Sequence, residues 1–289
     1  MKTPDQDSID SWLEISSNQI ERTKQHIHGS FYKEHNIPIH GAYHTMGMDY
    51  ASLGRARFLK GEPIDRVRET FSEAGQQVLH DFEMAYNINC FEYIGDKPKP
   101  DDQINAGYGQ VDWSAVMETI AIDGLNWALM GKDFKTAERL AYWYQDTPDG
   151  YKMDAVVNRY IYAYKYTLLD KPDEAEPLLQ ATIDYYQAKP PSTTGDINYY
   201  TLSLILQGIV LKDAHQVNES LLLHLDFYKR SAIPSEDYWD TDQEFICDDA
   251  VALANLAIHL GIDVSAEHYL MPKGLLQYFN RHKILALGK

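Results

Sequence analysis

Apolar residues recur at spacings of three and four through most of this chain, and that period is what most limits the folds open to it. Trp113, Val116, Met117, Ile120, Leu125, Ala128 and Leu129 fall on one helical face across five turns, the pattern of a helix with one buried stripe. Alternating apolar and polar runs closed by Asn-Gly or Asp-Gly turns are nearly absent: Asp149-Gly150 and Asp123-Gly124 are the only Asp-Gly pairs, and the second sits inside a helical pattern. The expected fold is all-α, without a substantial β-sheet.

A second regularity lies between the helices. Phe58-Leu59-Lys60-Gly61-Glu62-Pro63-Ile64, Leu129-Met130-Gly131-Lys132-Asp133-Phe134, Leu168-Leu169-Asp170-Lys171-Pro172-Asp173 and Val210-Leu211-Lys212-Asp213-Ala214 each end one apolar helix and start another. Gly past a helix end is expected to supply a left-handed residue, Asp to cap the next helix, and Pro to fit its first turn. Gly131, Lys171 and Lys212 stand 40 and 41 positions apart, the period of stacked helical hairpins. The expectation is a solenoid-like stack of antiparallel hairpins. Gly95-Asp96-Lys97-Pro98-Lys99-Pro100-Asp101-Asp102 interrupts it as a loop, so residues 1–289 read as one unit with lobes 1–95 and 110–289 joined near 95–110.

Charge narrows the function classes. Lys and Arg number 26 against 43 Asp and Glu, a formal net charge of −17. A chain this acidic is repelled by nucleic acid and by anionic membrane surfaces, so neither is expected as a partner. The amino terminus lacks a basic stretch leading into an apolar one, and the longest apolar run, Thr201 to Leu211, is too short to span a bilayer, so a cytoplasmic location is expected. Cys90 and Cys247, the two cysteines, have neither disulfide-framework nor zinc spacing and read as small buried hydrophobes.

The acids are unevenly placed. Glu236, Asp237, Asp240, Asp242, Glu244, Asp248 and Asp249 all fall between Ser231 and His259, a stretch without Lys or Arg. Tyr238, Trp239 and Phe245 are interleaved with them, and aromatics beside a charged rim are a common composition of protein interfaces. Glu236, Asp237, Tyr238, Trp239, Asp240, Asp242, Glu244 and Asp248 are therefore the expected partner-binding residues. The competing reading is a solvated loop leading into a helix N-terminus, where acids oppose the macrodipole favourably.

Catalytic patterns are weaker. His26, His28, His35, His40 and His44 cluster near the start, but His40-Gly41-Ala42-Tyr43-His44 lacks the glutamate of a zinc-protease helix; these read as surface or cap residues. His80-Asp81, with His40 or His44 and Asp123, loosely matches an all-α class of metal-dependent phosphohydrolases. Phosphate loops, dinucleotide fingerprints and nucleophile elbows are absent. The tyrosines, including Tyr160, Tyr162, Tyr164, Tyr166, Tyr185-Tyr186 and Tyr199-Tyr200, are expected to bury rings and expose hydroxyls at helix seams.

The carboxy-terminal third carries a resemblance. Leu221-Leu222-Leu223-His224, Tyr238-Trp239, Asp249-Ala250-Val251-Ala252-Leu253-Ala254-Asn255-Leu256-Ala257 with Gly261-Ile262-Asp263-Val264, and Tyr269-Leu270-Met271-Pro272-Lys273-Gly274-Leu275-Leu276 together resemble immunity protein 49 of bacterial polymorphic toxin systems. Trp113 and Trp127-Ala128-Leu129-Met130-Gly131-Lys132-Asp133 extend it over roughly 110 to 289. The resemblance implies an all-α antitoxin that binds and blocks a cognate toxin, with no catalysis, cofactor or metal of its own. A basic, nuclease-type toxin fits the acidic segment, because complementary charge speeds encounter and excludes wrong partners. The alternatives are a helical-repeat scaffold or adaptor that binds a peptide or protein, and the phosphohydrolase built on His80 and Asp81.

Overall fold

A computed structural model describes residues 4–35, 39–85, 116–144, 155–233 and 236–276. Among these residues the chain is an all-α bundle without a β-sheet; one isolated bridge joins His268 and Met271. The helices are α1 (Gln6–His28), α2 (Phe31–Glu34), α3 (His40–Lys60), α4 (Ile64–Ala85), α5 (Glu118–Met130), α6 (Phe134–Trp143), α7 (Ala155–Leu168), α8 (Pro172–Ala188), α9 (Thr194–Val210), α10 (Ala214–Tyr228) and α11 (Asp248–His259). The loop at 95–102 and the lobe boundary lie outside the described residues, as do Cys90 and Trp113. No helix among the described residues is long and apolar enough to cross a membrane.

Five helix ends share one geometry. Helix ends at Gly61, Lys132, Asp170, Lys212 and Gly261 all enter the left-handed region, with φ between 54° and 84°. Each makes the same two backbone bonds; at the third, Asp170 N–H donates to the Thr167 carbonyl and Lys171 N–H to that of Tyr166. This double bond is the Schellman cap, which satisfies carbonyls orphaned at a helix end. The expectation for Gly131 is corrected: its φ is −72° and Lys132 takes the left-handed position. Gly131 is small for another reason, since a Cβ there would meet Ser72 N at 2.4 Å. Asp133 and Asp213 cap the following helices as expected, accepting from Thr136 N–H and from His215 and Gln216 N–H.

Two sequence expectations shift. The stripe from Trp113 predicts a helix that includes Val116 and Met117, yet Met117 is an extended N-cap (ψ 158°) and α5 begins at Glu118. Tyr160 and Tyr164 are buried whole, hydroxyls included; the Tyr164 hydroxyl donates to Asn126 Oδ1 at 3.0 Å.

Helix α11 is the centre of the packing. Ala250 to Ile258 are all buried, and a helix apolar on every side must be surrounded. It packs on α5, α9 and α10. Asn255, fully buried within it, donates to the carbonyls of Leu129 and Leu275 and ties α11 to the end of α5 and to the returning segment. Helices α3 and α4 close the other side, where Gly75 lets α4 come so near α5 that a Cβ would lie 2.7 Å from Ala128 Cβ. One core runs from Ala51 to Leu276.

Candidate functional site

The first turn of α11 carries Asp248 and Asp249, and it opens into a polar pocket of about 320 Å³. Helix α3 contributes Asp49 and Arg55, α5 contributes Asp123, Asn126 and Trp127, and the segment after α10 contributes Tyr238 and Asp242. Five aspartates thus face one arginine. Arg55 is 3% exposed and donates from Nε to Asp242 Oδ2 at 2.8 Å and from Nη1 to Asp248 Oδ2 at 2.5 Å. Trp127 Nε1–H adds a bond to Asp248 Oδ2 at 3.1 Å. Asn126 Nδ2 donates to Asp249 Oδ1 at 2.7 Å, with Asn126 held in turn by Tyr164. The other oxygen of Asp248, Oδ1, is buried without a hydrogen-bond partner.

Burial and mutual repulsion set the protonation of these acids. Burial, with Asp249 and Asp248 adding to it, pushes Asp123 up to about 7. Burial alone lifts Asp49 to about 6. It lifts Asp249 to about 6 as well, against the bond from Asn126 and with the help of Asp248. Burial works against the Arg55 charge, but Asp248 and Asp242 outweigh it and hold the guanidinium firmly protonated. The α11 macrodipole favours negative charge at this end. The pocket is thus lined by acids that hold their protons to higher pH than exposed carboxylates do.

Behind the pocket lies a second group. His224 Nε2 stands 3.5 Å from Cys247 Sγ, and one ligand-type atom from each of His224, Cys247 and Asp249 falls within 4.8 Å of the others. His224 and Cys247 are fully buried. Burial lowers His224 to about 4, so its ring is neutral, and raises the Cys247 thiol. Asp249 belongs both to this group and to the pocket wall.

That group corrects two expectations. The chain is expected to be no enzyme, but a neutral imidazole, a thiol and a carboxylate converging beside a polar cavity form a candidate metal-binding site, and catalytic chemistry is open to such a site. Cys247 is buried as expected, yet it is more than a small hydrophobe. Among the described residues, His40, His44, His80, Asp81 and Asp123 do not gather into such a cluster. His40 Nδ1 instead lies 3.4 Å from Asp81 Oδ1, and His80 Nδ1 lies 3.5 Å from Glu83 Oε2, while Asp123 faces the aspartate pocket.

The acidic segment divides. Glu236, Asp237, Trp239 and Asp240 are exposed. Tyr238 is half-buried and stacks on Tyr228 with ring centroids 4.8 Å apart. Asp242 and Glu244 turn inward, 8% and 5% exposed; Asp242 pairs with Arg55, and Glu244 Oε2 accepts from Asp240 N–H at 3.0 Å. Asp248 lies at the pocket wall. Asp49, Arg55 and Asn126 escaped sequence reasoning because each is one polar residue within an otherwise ordinary helix. His224 sat inside the Leu221 to Leu225 apolar run, and a histidine at a core position was the available signal.

No protein-family model, curated protein or solved structure matches this chain. Fold and site define an all-α protein with an aspartate-lined pocket set against a buried His/Cys/Asp group.

Proposed function

We propose that this is a helical binding protein whose aspartate-lined pocket takes a cationic side chain, Arg or Lys, from a basic protein partner. The observation that carries the reading is the charge balance of the cavity: Arg55 is already paired with Asp242 and Asp248, and Asp249 accepts from Asn126, which leaves Asp49 and Asp123 to meet an incoming cation. Trp127, Tyr228 and Tyr238 supply aromatic walls, and aromatic faces with carboxylates are suited to guanidinium and ammonium groups. A cavity of about 320 Å³ is at the small end of ligand sites and suits one side chain. Exposed Glu236, Asp237 and Asp240 stand in the segment that supplies the rim and would steer a basic surface toward it. The hairpins α5/α6, α7/α8 and α9/α10, taken as a short helical-repeat stack, would be the rigid frame. The partner we propose is a cognate toxin held inactive, as the resemblance to immunity protein 49 implies.

The test is co-expression with the product of the adjacent open reading frame, reading complex formation and cell survival. Protection and a complex weakened at least about 30-fold by Asp49→Asn with Asp123→Asn support the reading, that loss being what an unpaired buried charge costs. A folded double variant that binds and protects as well as the native chain sinks the pocket, and absence of any complex sinks the toxin.

A second reading, metal-assisted hydrolysis, is favoured by the His224, Cys247 and Asp249 group, whose carboxylate opens on the same cavity. Turnover of phosphoester or amide substrates that depends on added metal and is lost in Asp249→Asn would favour it over binding alone.

A further inference from the structure

We propose that His224 Nε2, Cys247 Sγ and one Asp249 carboxylate oxygen bind a single Zn²⁺-class ion, with a fourth position left for water from the aspartate pocket. The inference concerns the chain's own donor atoms and stands whatever the partner is.

The first support is the tautomer of His224. Thr201 Oγ1 lies 2.9 Å from His224 Nδ1 and also 2.9 Å from the carbonyl oxygens of Ile197 and Asn198. A hydroxyl has one proton, and the two carbonyls can only accept, so that proton goes to the backbone. In that arrangement Thr201 Oγ1 accepts from Nδ1–H, which places the ring's lone pair on Nε2, on the side of Cys247. A metal-ligating histidine is held in this way, with its other nitrogen donating to a fixed acceptor.

The second support is distance. Ligand lengths of about 2.3 Å to sulfur and about 2.0 Å to imidazole nitrogen at a tetrahedral angle set the two donors about 3.5 Å apart. The Nε2 to Sγ separation is 3.5 Å. Asp249 Oδ1 accepts from Asn126 Nδ2, and one of the two Asp249 carboxylate oxygens lies within the 4.8 Å span of the group; closing that span to the separation of about 3.5 Å in a tetrahedral site takes a shift of about 1 Å by the carboxylate.

The third is charge. A divalent ion with one thiolate, one carboxylate and one neutral imidazole is electrically neutral, which suits a buried position. Binding replaces the thiol proton: the Cys247 S–H bond breaks, its electron pair goes to the metal, and the proton leaves to solvent. Mixed nitrogen, sulfur and oxygen donors select Zn²⁺ and Co²⁺ over Ca²⁺ or Mg²⁺, which take oxygen ligands. Three protein ligands rather than four are the arrangement of a reactive centre with an open position.

The experiment is Co²⁺ titration of the full chain, free of histidine tags and stripped with chelator, followed by absorption spectroscopy. The expected result is one ion per chain, visible bands of tetrahedral intensity, a thiolate-to-cobalt charge-transfer band, about one proton released for the thiol, and displacement by Zn²⁺. The charge-transfer band should survive Cys90→Ser and vanish in Cys247→Ser, and Asn126→Ala should weaken binding roughly 10- to 100-fold. Folded protein that retains no Co²⁺ overturns the proposal. So does Co²⁺ bound with a six-coordinate, thiolate-free spectrum, which would place it on surface carboxylates. The wild-type and Cys90→Ser spectra decide the question even if Cys247→Ser fails to fold.

Discussion

Arg55 and Asp242, separated by 187 positions in sequence, meet at 2.8 Å inside the bundle. Their pair, extended to Asp248, fastens α3 to the second half of the acidic segment, and Arg55 is the cation that lets two of its acids be buried. Arg55→Ala leaves Asp242 and Asp248 buried without a counterion, and should destabilise the fold by about 3–5 kcal/mol. Urea denaturation at pH 7 measures it. A loss below about 1 kcal/mol would mean that the aspartates find water instead.

The pocket's acids make stability fall with rising pH. Asp123 has a folded pKa of about 7 against 3.8, so between those values the native state holds a proton that the unfolded chain has released. Its contribution is complete below pH 3.8 and is lost as pH rises through about 7. Three units correspond to about 4 kcal/mol at most. Asp123→Asn should therefore raise Tm at pH 8 and leave it nearly unchanged at pH 4, as calorimetry would show. Cation binding has the opposite dependence and should tighten from pH 6 to 8 as Asp49 and Asp123 ionise.

Two turn substitutions should act in opposite directions. Lys212 is exposed with φ 56°, a conformation that costs a side-chain-bearing residue about 1–2 kcal/mol. Lys212→Gly should stabilise by about 1 kcal/mol. Gly131→Ala places a Cβ 2.4 Å from Ser72 N and 2.8 Å from the Arg68 carbonyl, both backbone atoms, and should cost about 3 kcal/mol or more by forcing α4 and α5 apart. Equal effects in a thermal melt would argue against this division of roles.

Reversing the exposed charges separates docking from folding. Glu236, Asp237 and Asp240 changed together to Lys should alter stability by less than about 1 kcal/mol, because exposed charges contribute little. If the partner is basic, association should slow about tenfold or more at low salt, with a smaller effect at high salt. Stopped-flow mixing reads both. Asp242 and Glu244 do not belong in this variant, since their reversal would test the buried pair with Arg55.

Much of the architecture follows from local rules. Apolar spacing pointed to the all-α class, and the segments around Gly61, Gly131, Lys171 and Lys212 were visible as punctuation between helices. The left-handed residue was misplaced at Gly131 because glycine there serves contact with α4, and contact between helices has no local signature. The burial of α11 on all sides, from Ala250 to Ile258, is a finding of the structure.

The site was only half legible. An acid-rich segment without a base was plain in the order of residues, but its division into an exposed part at Glu236, Asp237 and Asp240 and an inward part at Asp242, Glu244 and Asp248 depends on where Arg55 arrives from α3. Local sequence determines which face of a helix is apolar, because backbone period and side-chain hydration act over a few residues. Which faces meet is decided by packing across the whole bundle. That packing alone brought Arg55 to Asp248 across 193 positions, turned Asp123 and Asp49 into one cavity, and set His224 Nε2 beside the sulfur of Cys247.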